Sequence, residues 1–401
     1  MGQRPLIAIW VRPPDETPAT EIARRKQYYE DLFFGQPRHA GAYPDQLRQL
    51  EPSVADFYRQ ASGGKFNWRR VGFVGPLAAP VTDKSEFDVA RLALAAAASE
   101  GRVNFKAFDT KHDGKITADE LTMLVVMNNG GGGGQANHFL GNRAFKIPGQ
   151  DVVFAGGDVV ANEGSAFAVF SHELFHTLGG IDLYGPWHGC LSVNEGLSVM
   201  TSVAFGIDEE RIIDLDAWHK MLVGWIEPRL VPIGTAGKAQ LAAQHLPLSS
   251  EPERKRPLLI YDPAKGGAEY FLVEYRTPYR LGYDRNVVTS GLIIWHVVND
   301  HISHASVRSE RPDCHGAFPS IPSVFARGAP DWKQGGNKAY TSANGDIPLK
   351  WMDGKDSGVR VTVMPHKPSD PVIDVSWTTP APPLAAPARP ASPQTIGSGR
   401  P

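Results

Sequence analysis

The stretch FSHELFHTLGGIDLYG, residues 170–185, constrains the fold more than any other part of this 401-residue chain. Apolar side chains run into and through it at the three- and four-residue spacing of a helix face, on the stripe Phe167, Phe170, Leu174 and Leu178. Such a stripe predicts an amphipathic helix with one face on a core. We expect the helix to begin near Asn162 or Ser165, both acceptable N-caps, and to end at the pair Gly179-Gly180.

His172 and His176 lie four residues apart, and Glu173 directly follows the first histidine. Residues four apart share a helix face, so both imidazoles can reach one ion, and zinc binds imidazole nitrogen readily. Glu173 is rotated away from this face and is placed to take a proton from water on the metal rather than to ligate. The HExxH pattern therefore predicts a zinc site with Glu173 as the catalytic base.

The residues after the helix offer a third protein ligand. Gly179 allows a sharp turn, after which Asp182 can return toward the metal. His188 and Glu195 are alternatives for this position. Three protein ligands leave the fourth zinc position open for water, which is typical of a catalytic rather than a structural site.

The motif and its surroundings resemble the immune inhibitor A-like metallopeptidases, a family of secreted bacterial zinc enzymes. The resemblance covers about residues 5–375. The matching segments follow the family's order along the chain: SVADFYRQASGGKFNW, SHELFHTLGGIDLYG, EGLSVMTS, DLDAWHKMLVGWIEP and EYFLVEYRTPYRLGYD with SGLIIWHVVND.

This resemblance implies a zinc-dependent endopeptidase with a metzincin-like catalytic domain. The zinc ligands would be His172, His176 and Asp182. Glu173 would be the base, and Met200 would lie beneath the metal, although a plain core methionine is the other interpretation. The resemblance also implies a secreted protein.

Two residues near the motif allow separate interpretations. Phe175 stands where the family commonly has glycine; it can pack in the core, or it can narrow the contact between the helix and a neighbouring strand. Tyr184 can donate a hydrogen bond to a developing oxyanion, but we prefer a packed tyrosine whose hydroxyl is satisfied.

A second possible ion site lies in FDTKHDGKITADEL, residues 108–121. Its spacing matches an EF-hand loop, with the candidate calcium ligands Asp109, Asp113, Lys115 and Glu120. Lys111 occupies a position where a carboxylate or amide belongs and would repel the ion. The alternative is a turn held by Asx hydrogen bonds, with no ion.

Composition argues against several classes of partner. The chain has 41 Lys and Arg against 43 Asp and Glu, a net charge of −2, so neither nucleic acid nor an acidic membrane is expected. No apolar run is long enough to span a bilayer. The opening MGQRPLIAIWVRPPD is interpreted as a β-strand rather than a signal peptide. Cys190 and Cys314 allow one disulfide or two thiols.

The pattern along the chain predicts an α+β protein. We expect a zincin- or metzincin-like catalytic domain over residues 1–237, a β-sandwich-like domain over 238–378, and a disordered Pro- and Ala-rich tail over 379–401. Five consecutive glycines within residues 128–134 predict a mobile loop. In the β-rich part, His296, His301 and His304 are interpreted as solvated or core histidines.

The leading functional hypothesis is a zinc endopeptidase that acts on protein or peptide substrates. Its zinc helix would form the floor of a cleft, and an edge strand would hold an extended peptide by main-chain hydrogen bonds. The alternative is a catalytically silent binding or adhesion module with the same fold. A zinc hydrolase of non-peptide amides is a lesser option. The sequence does not indicate an oligomeric state.

Overall fold

The computed structural model describes residues 2–14, 17–35, 38–39, 50–51, 53–128, 134–138, 144–183, 196–201, 212–244, 246, 253–279, 282–287, 290–299, 323–326 and 339–378. Several predictions concern residues outside these ranges. The residues concerned are Tyr184, His188, Cys190, Glu195, His301, His304, Cys314 and the tail over 379–401. No helix in the described ranges is long and apolar enough to cross a membrane.

The described helices are few and mostly short. They are α1 (Ala19–Phe34), α2 (Val54–Ala61), α3 (Glu86–Ser99), α4 (Phe167–His176) and α5 (Ala217–Leu222). Strands make up most of the remaining regular structure. They are β1 (Gln3–Arg12), β2 (Arg38–His39), β3 (Leu50–Glu51), β4 (Asn67–Ala78), β5 (Lys115–Ile116), β6 (Thr122–Met127), β7 (Gly134–His138), β8 (Phe145–Lys146), β9 (Val153–Phe154), β10 (Gly157–Asn162), β11 (Arg229–Pro232), β12 (Gly237–Ala242), β13 (Leu258–Tyr261), β14 (Glu269–Arg276), β15 (Gly291–Val298), β16 (Ser323–Ala326), β17 (Asp346–Lys350), β18 (Asp356–Val363) and β19 (Val372–Thr378).

The first large sheet has the strand order β4-β1-β6-β10-β7. The strands β4, β1, β6 and β10 run parallel, and β7 pairs antiparallel with β10 at the end of the sheet. A parallel sheet is normally covered on both faces, which explains why β6 is buried along its whole length. This sheet is therefore a central layer with cores on either side.

Alternate side chains of β1 enter different cores. Leu6, Ala8 and Trp10 pack in a first core together with α1, α2, α4 and α5. Ile7, Ile9 and Val11 pack in a second core against α3. The period-two alternation of a strand thus divides one apolar run, PLIAIWV, between the two faces of the sheet.

The helix α4 begins later than the sequence predicts. Its N-cap is Ala166, without a side-chain cap, so neither Asn162 nor Ser165 is the cap. Asn162 is instead the last residue of β10, and its carbonyl accepts a hydrogen bond from Ser165 N–H in the turn that follows. Because β10 extends to Asn162 and a turn follows it, the first helical residue is Phe167.

The later part of the chain forms two sheets that share one core. One has the order β11-β13-β14-β15-β16, and the other has the order β12-β19-β18-β17. Apolar side chains of both sheets pack together, Phe271 and Leu292 from the first and Val361 and Ile373 from the second among them. This arrangement is a β-sandwich core.

Strands β14 and β15 are buried on both faces. One face lies in the sandwich core, whereas Leu272 and Trp295 on the other face belong to the first core beside α4 and α5. The two parts of the chain are therefore packed against each other through this pair of strands. The strand β11, which precedes the predicted boundary at residue 237, pairs with β13 of the later sheet.

The observed elements confirm a mixed α+β fold. Within residues 151–156 only Val153–Phe154 is extended, and the longer strand β10 follows at Gly157–Asn162. The prediction of a loop through Gly134 is wrong. Gly134, expected within the glycine loop, is the first residue of β7.

Candidate metal centre

The structure brings three predicted ligands to one point. The Nε2 atoms of His172 and His176 lie 3.1 Å apart. Oδ1 of Asp182 lies 2.9 Å from the first nitrogen and 3.3 Å from the second. Ligand atoms about 2.0–2.1 Å from a tetrahedral zinc ion lie about 3.3–3.4 Å apart, so this triangle approximates one face of a zinc site.

Backbone carbonyls orient both imidazole rings. Nδ1 of His172 donates to the carbonyl of Val199 over 2.8 Å, and Nδ1 of His176 donates to the carbonyl of Gly180 over 3.0 Å. A donor role at Nδ1 leaves the lone pair of a neutral ring at Nε2. Hydrogen bonds of this kind commonly fix the tautomer of histidines that bind metals. The donor set therefore fits a zinc ion.

The turn that contains Met200 lies against this centre. Met200 is fully buried in the first core, and its carbonyl accepts a hydrogen bond from Leu183 N–H over 2.8 Å. Its neighbour Val199 supplies the carbonyl that contacts His172. The turn thus supports both α4 and the segment that bears Asp182.

Glu173 lies near the same point but outside the tight triangle. Its carboxylate is within 4.8 Å of both histidine ligand atoms. Asp182 is closer to those atoms, so its position fits the expected third ligand, and Glu173 stands where the expected base would face a metal-bound water. His188 and Glu195, the alternative third ligands, lie outside the described residues.

The charges of the site are strongly coupled. Burial raises the pKa of Glu173, although the charges of His172 and His176 oppose this shift. Burial lowers the pKa of His176, but the hydrogen bond and charge of Asp182, the Gly180 carbonyl and the charge of Glu173 together outweigh burial and raise it. Burial would raise the pKa of Asp182, yet its hydrogen bonds with both histidines hold it well below its usual range. The site thus keeps Asp182 anionic, as a metal ligand must be.

A cleft of about 370 Å³ opens onto these groups. The strand β7 forms one wall, with Gly134, Gln135 and Ala136, and Glu173 and Asp182 line the same space. A backbone hydrogen bond joins Ala136 to the carboxylate of Glu173. The end strand of the sheet and the candidate base therefore border one cavity.

Gly134 permits this close approach of strand and helix. A Cβ atom at this position would lie 3.0 Å from Cγ of Glu173, 3.0 Å from Cγ1 of Val169 and 3.2 Å from Cβ of Ala161. These distances are tighter than ordinary van der Waals contact. The last glycine of the run therefore has a packing function.

Phe175 packs in the first core rather than against a strand. Its ring contacts those of Tyr58, Trp225 and His219, with centroid distances of 6.4, 5.8 and 5.2 Å. The Tyr58 hydroxyl also donates to the carbonyl of Ser171 over 2.6 Å, which ties α2 to the zinc helix. The unusual phenylalanine thus fills space beneath the helix, away from the cleft.

The candidate calcium loop is held by hydrogen bonds of its own. Oδ1 and Oδ2 of Asp109 accept from the N–H groups of Asp113 and Gly114, and Oδ1 of Asp113 accepts from Lys115 N–H. Within the described part of the chain, three ligand side chains converge around His172 and His176, and no such group is found in this loop. Calcium binding through Asp109, Asp113, Lys115 and Glu120 stays a prediction, and these contacts favour the Asx turn.

Both oxygens of Glu120 are engaged within that loop. Oε1 accepts from the N–H and hydroxyl of Thr110 and from Lys111 N–H, and Oε2 accepts from the N–H and hydroxyl of Thr117. The carboxylate is buried, with only 5% of the residue exposed. Glu120 therefore organises the turn directly.

Sequence reasoning missed a buried polar group next to the site, formed by Ser198, Asp216 and His219. Asp216 caps α5 through His219 N–H. The neighbouring Asp214 pairs with Lys220 over 2.6 Å. The three-residue spacing from Asp216 to His219 was the available signal. His296 is a core histidine, as expected, and pairs with Glu269.

No protein-family model matches this chain, and no curated protein matches it. A solved structure described as "Structure of a chaperone-substrate complex" aligns with 55% of this chain and 34% of its own chain, at 14% identity and a TM-score of 0.26. The present chain therefore spans about a third of the length of that chain. A likeness this weak carries no argument about fold or function.

Proposed function

We propose that this protein is a zinc-dependent endopeptidase, with His172, His176 and Asp182 as the zinc ligands and Glu173 as the general base. The observation that carries this proposal is the compact triangle of two Nε2 atoms and one Oδ1 atom, with sides of 2.9, 3.1 and 3.3 Å. A carboxylate outside the triangle borders the same cleft. These are the components of metal-assisted hydrolysis.

Zinc bound there would supply a Lewis acid that polarises the scissile carbonyl and acidifies a water molecule. Glu173 would take a proton from water in the cleft and would later give it to the leaving amine. Burial raises the pKa of Glu173, which brings this carboxylate closer to the pH at which proton transfer is efficient. The backbone hydrogen bond from Ala136 holds the carboxylate on the cleft side of the helix.

The strand β7 is the proposed substrate-binding element. It pairs with β10 along one edge, and no described strand pairs with its other edge. An extended peptide can add to such an edge by main-chain hydrogen bonds, which would lay its backbone along the cleft beside Glu173. Protein and peptide chains are therefore the proposed substrates.

The sheet topology supports a metzincin-like catalytic part over about residues 1–237. Four parallel strands and an antiparallel end strand lie next to the helix with the two histidines, and the Met200 turn packs below. We extend the proposal to membership of the immune inhibitor A-like family and to secretion, which rest on the sequence motifs. The sandwich that follows would stabilise the catalytic part or bind substrate.

Metal removal and restoration test this function. The wild-type chain should cleave casein, lose this activity when a chelator removes zinc, and recover it when zinc is added in equimolar amount. An Asp151→Asn variant, changed at an exposed carboxylate away from the site, serves as the matched control. A zinc-loaded wild-type chain that binds casein but never cleaves it would instead establish a silent binding module.

A further inference from the structure

Two buried side chains next to the candidate metal centre have no part in the proposed chemistry. Asp216 and His219 are both fully buried, and Nδ1 of His219 donates to Oδ2 of Asp216 over 2.7 Å. An anionic carboxylate at Nδ1 leaves the lone pair of the neutral ring at Nε2. This ring therefore presents an acceptor on its far side.

Nε2 of His219 faces the backbone just before Asp182, the proposed third ligand. The N–H of Ile181, directly before Asp182, donates to Nε2 of His219 over 3.3 Å. Gly180, directly before Ile181, accepts from Nδ1 of His176. The ring of His219 thus anchors a short piece of backbone that is connected to two of the three ligands.

The Asp216 oxygen that accepts from His219, Oδ2, accepts a second hydrogen bond. Ser198 Oγ donates to Oδ2 of Asp216 over 2.6 Å and accepts from Met200 N–H over 3.2 Å. Between Ser198 and Met200 lies Val199, whose carbonyl holds His172. One buried oxygen therefore ties the backbone that orients His172 to the ring that anchors the Asp182 segment.

We propose that the Asp216–His219 pair is a positioning device that sets the spacing between the metal ligands His172 and Asp182. The inference rests on the proposed zinc site, because it assigns these residues to the support of its ligands. Neither residue is among those that line the cleft, and neither belongs to the triangle of candidate ligands. Hydrogen-bonded partners behind metal ligands typically change metal affinity about 10- to 100-fold when they are lost.

The arrangement has features that a plain core contact would lack. A phenylalanine would fill the space of His219 and keep its ring contacts with Phe175 and Trp218, at 5.2 and 4.7 Å between centroids. It would leave the N–H of Ile181 without its acceptor and would remove one of the two side-chain hydrogen bonds to Oδ2 of Asp216, that from Ser198 being retained. A glutamine could still offer an oxygen to Ile181 N–H. The two variants therefore separate packing from positioning.

The test compares zinc dissociation constants, obtained by competition with a chromophoric chelator, for the full chain and its variants. We expect His219→Phe to weaken zinc binding about 10- to 100-fold and His219→Gln to recover most of that loss. Ser198→Ala should also weaken zinc binding, because it removes the hydrogen bonds that support the backbone beside Val199, whose carbonyl orients His172. The d–d absorption bands of the cobalt-substituted protein should change shape in His219→Phe, because the ligand geometry is altered.

His296→Phe is the matched control. His296 is equally buried and pairs with a carboxylate, Glu269, over 2.7 Å, but it lies in β15, where its ring is 4.4 Å from that of Phe271 in the sandwich core. Thermal unfolding of the metal-free proteins measures the stability cost of each change. Should His219→Phe fail to fold, Ser198→Ala and His219→Gln still report the effect on zinc affinity and on the cobalt spectrum.

The outcomes separate the two proposals. If the wild-type chain binds zinc and the His219 and Ser198 variants bind it equally well, or lose no more affinity than His296→Phe, the positioning role is overturned and the zinc site stands. If the wild-type chain itself binds no zinc, the proposed function is overturned together with this inference. Selective loss in His219→Phe, with recovery in His219→Gln, supports the inference.

Discussion

Nε2 of His172 lies 2.9 Å from Oδ1 of Asp182. His172 is 1% exposed at the side chain and Asp182 is 40% exposed, so a buried histidine and an open carboxylate meet at the cleft. The chain returns to the helix immediately after the turn at Gly179, which has a φ of 99°. Glycine adopts this conformation readily, and the return of Asp182 depends on it.

Replacement of Asp182 tests the third ligand. Asp182→Ala should weaken zinc binding by more than the approximately 10- to 100-fold that loss of an outer partner costs, because a direct ligand is removed. Isothermal titration of the metal-free protein with zinc measures the change, and Asp151→Asn is the control. Wild-type affinity in Asp182→Ala would assign the third position to another residue.

Gly134 should tolerate no side chain. In Gly134→Ala the new Cβ would press on Glu173 and Val169, so we expect a loss of about 1–3 kcal/mol in stability and a lower kcat/KM on casein. Urea unfolding and steady-state kinetics measure both effects. Gly72→Ala, in β4 with no heavy atom within 4 Å of the new Cβ, is the matched control and should be nearly neutral.

Phe175 should contribute to stability and leave the chemistry largely unaffected. Phe175→Ala opens a cavity among Tyr58, Trp225 and His219, and we expect the free energy of unfolding to fall by about 3–5 kcal/mol. Below the unfolding transition, the zinc-loaded variant should retain most of its kcat. A large kcat loss in fully folded Phe175→Ala would show that this residue shapes the cleft.

Glu120 should make the stability depend on pH. Burial alone would raise its pKa, but the hydrogen bonds from Thr117, Thr110 and Lys111 hold it at about 2, against an ordinary value of 4.5. A lowered carboxyl pKa stabilises the fold above pH 4.5, and that contribution is lost as the pH falls toward 2. Glu120→Gln should therefore cost about 1–3 kcal/mol at pH 7 and progressively less below pH 4.5.

Urea unfolding at several pH values measures this difference, with the exposed Glu227→Gln as control. A deficit that stays constant across the acid range would contradict the argument. Because both oxygens of Glu120 are engaged in the loop, we also expect millimolar calcium to leave the thermal midpoint unchanged. A clear rise with calcium would favour the EF-hand interpretation of Asp109 and its neighbours.

Periodicity was sufficient to predict the local elements that lie on a core. The helix of residues 54–61 has a buried stripe through Val54, Phe57 and Tyr58, and the structure places all three in the first core. The strand of residues 122–127 is apolar on both faces because it lies in the middle of a covered sheet. In such segments burial follows directly from side-chain type.

Contacts between residues that are distant in the chain could not be predicted from periodicity. The sequence places Gly134 in a run of glycines that predicts a mobile loop, whereas its role depends on contacts with Val169, Glu173 and Ala161 from other elements. The connection from His219 to Ile181 likewise joins residues brought together only by packing. The four-residue spacing within HExxH was enough to predict the two histidine ligands, since four residues make about one helical turn. The hydrogen bonds that support these histidines depend on the fold and could not be predicted from the spacing.

In the proposed reaction, Glu173 acts on water at a zinc ion held by His172, His176 and Asp182. The most direct test of this reaction is casein cleavage by the wild-type chain and by Glu173→Gln, each at full and measured zinc occupancy. We predict equal zinc content and a kcat about 100- to 10,000-fold lower in the variant. A zinc-loaded variant that cleaves at the wild-type rate, or a zinc-loaded wild-type chain with no cleavage, would contradict the proposed reaction.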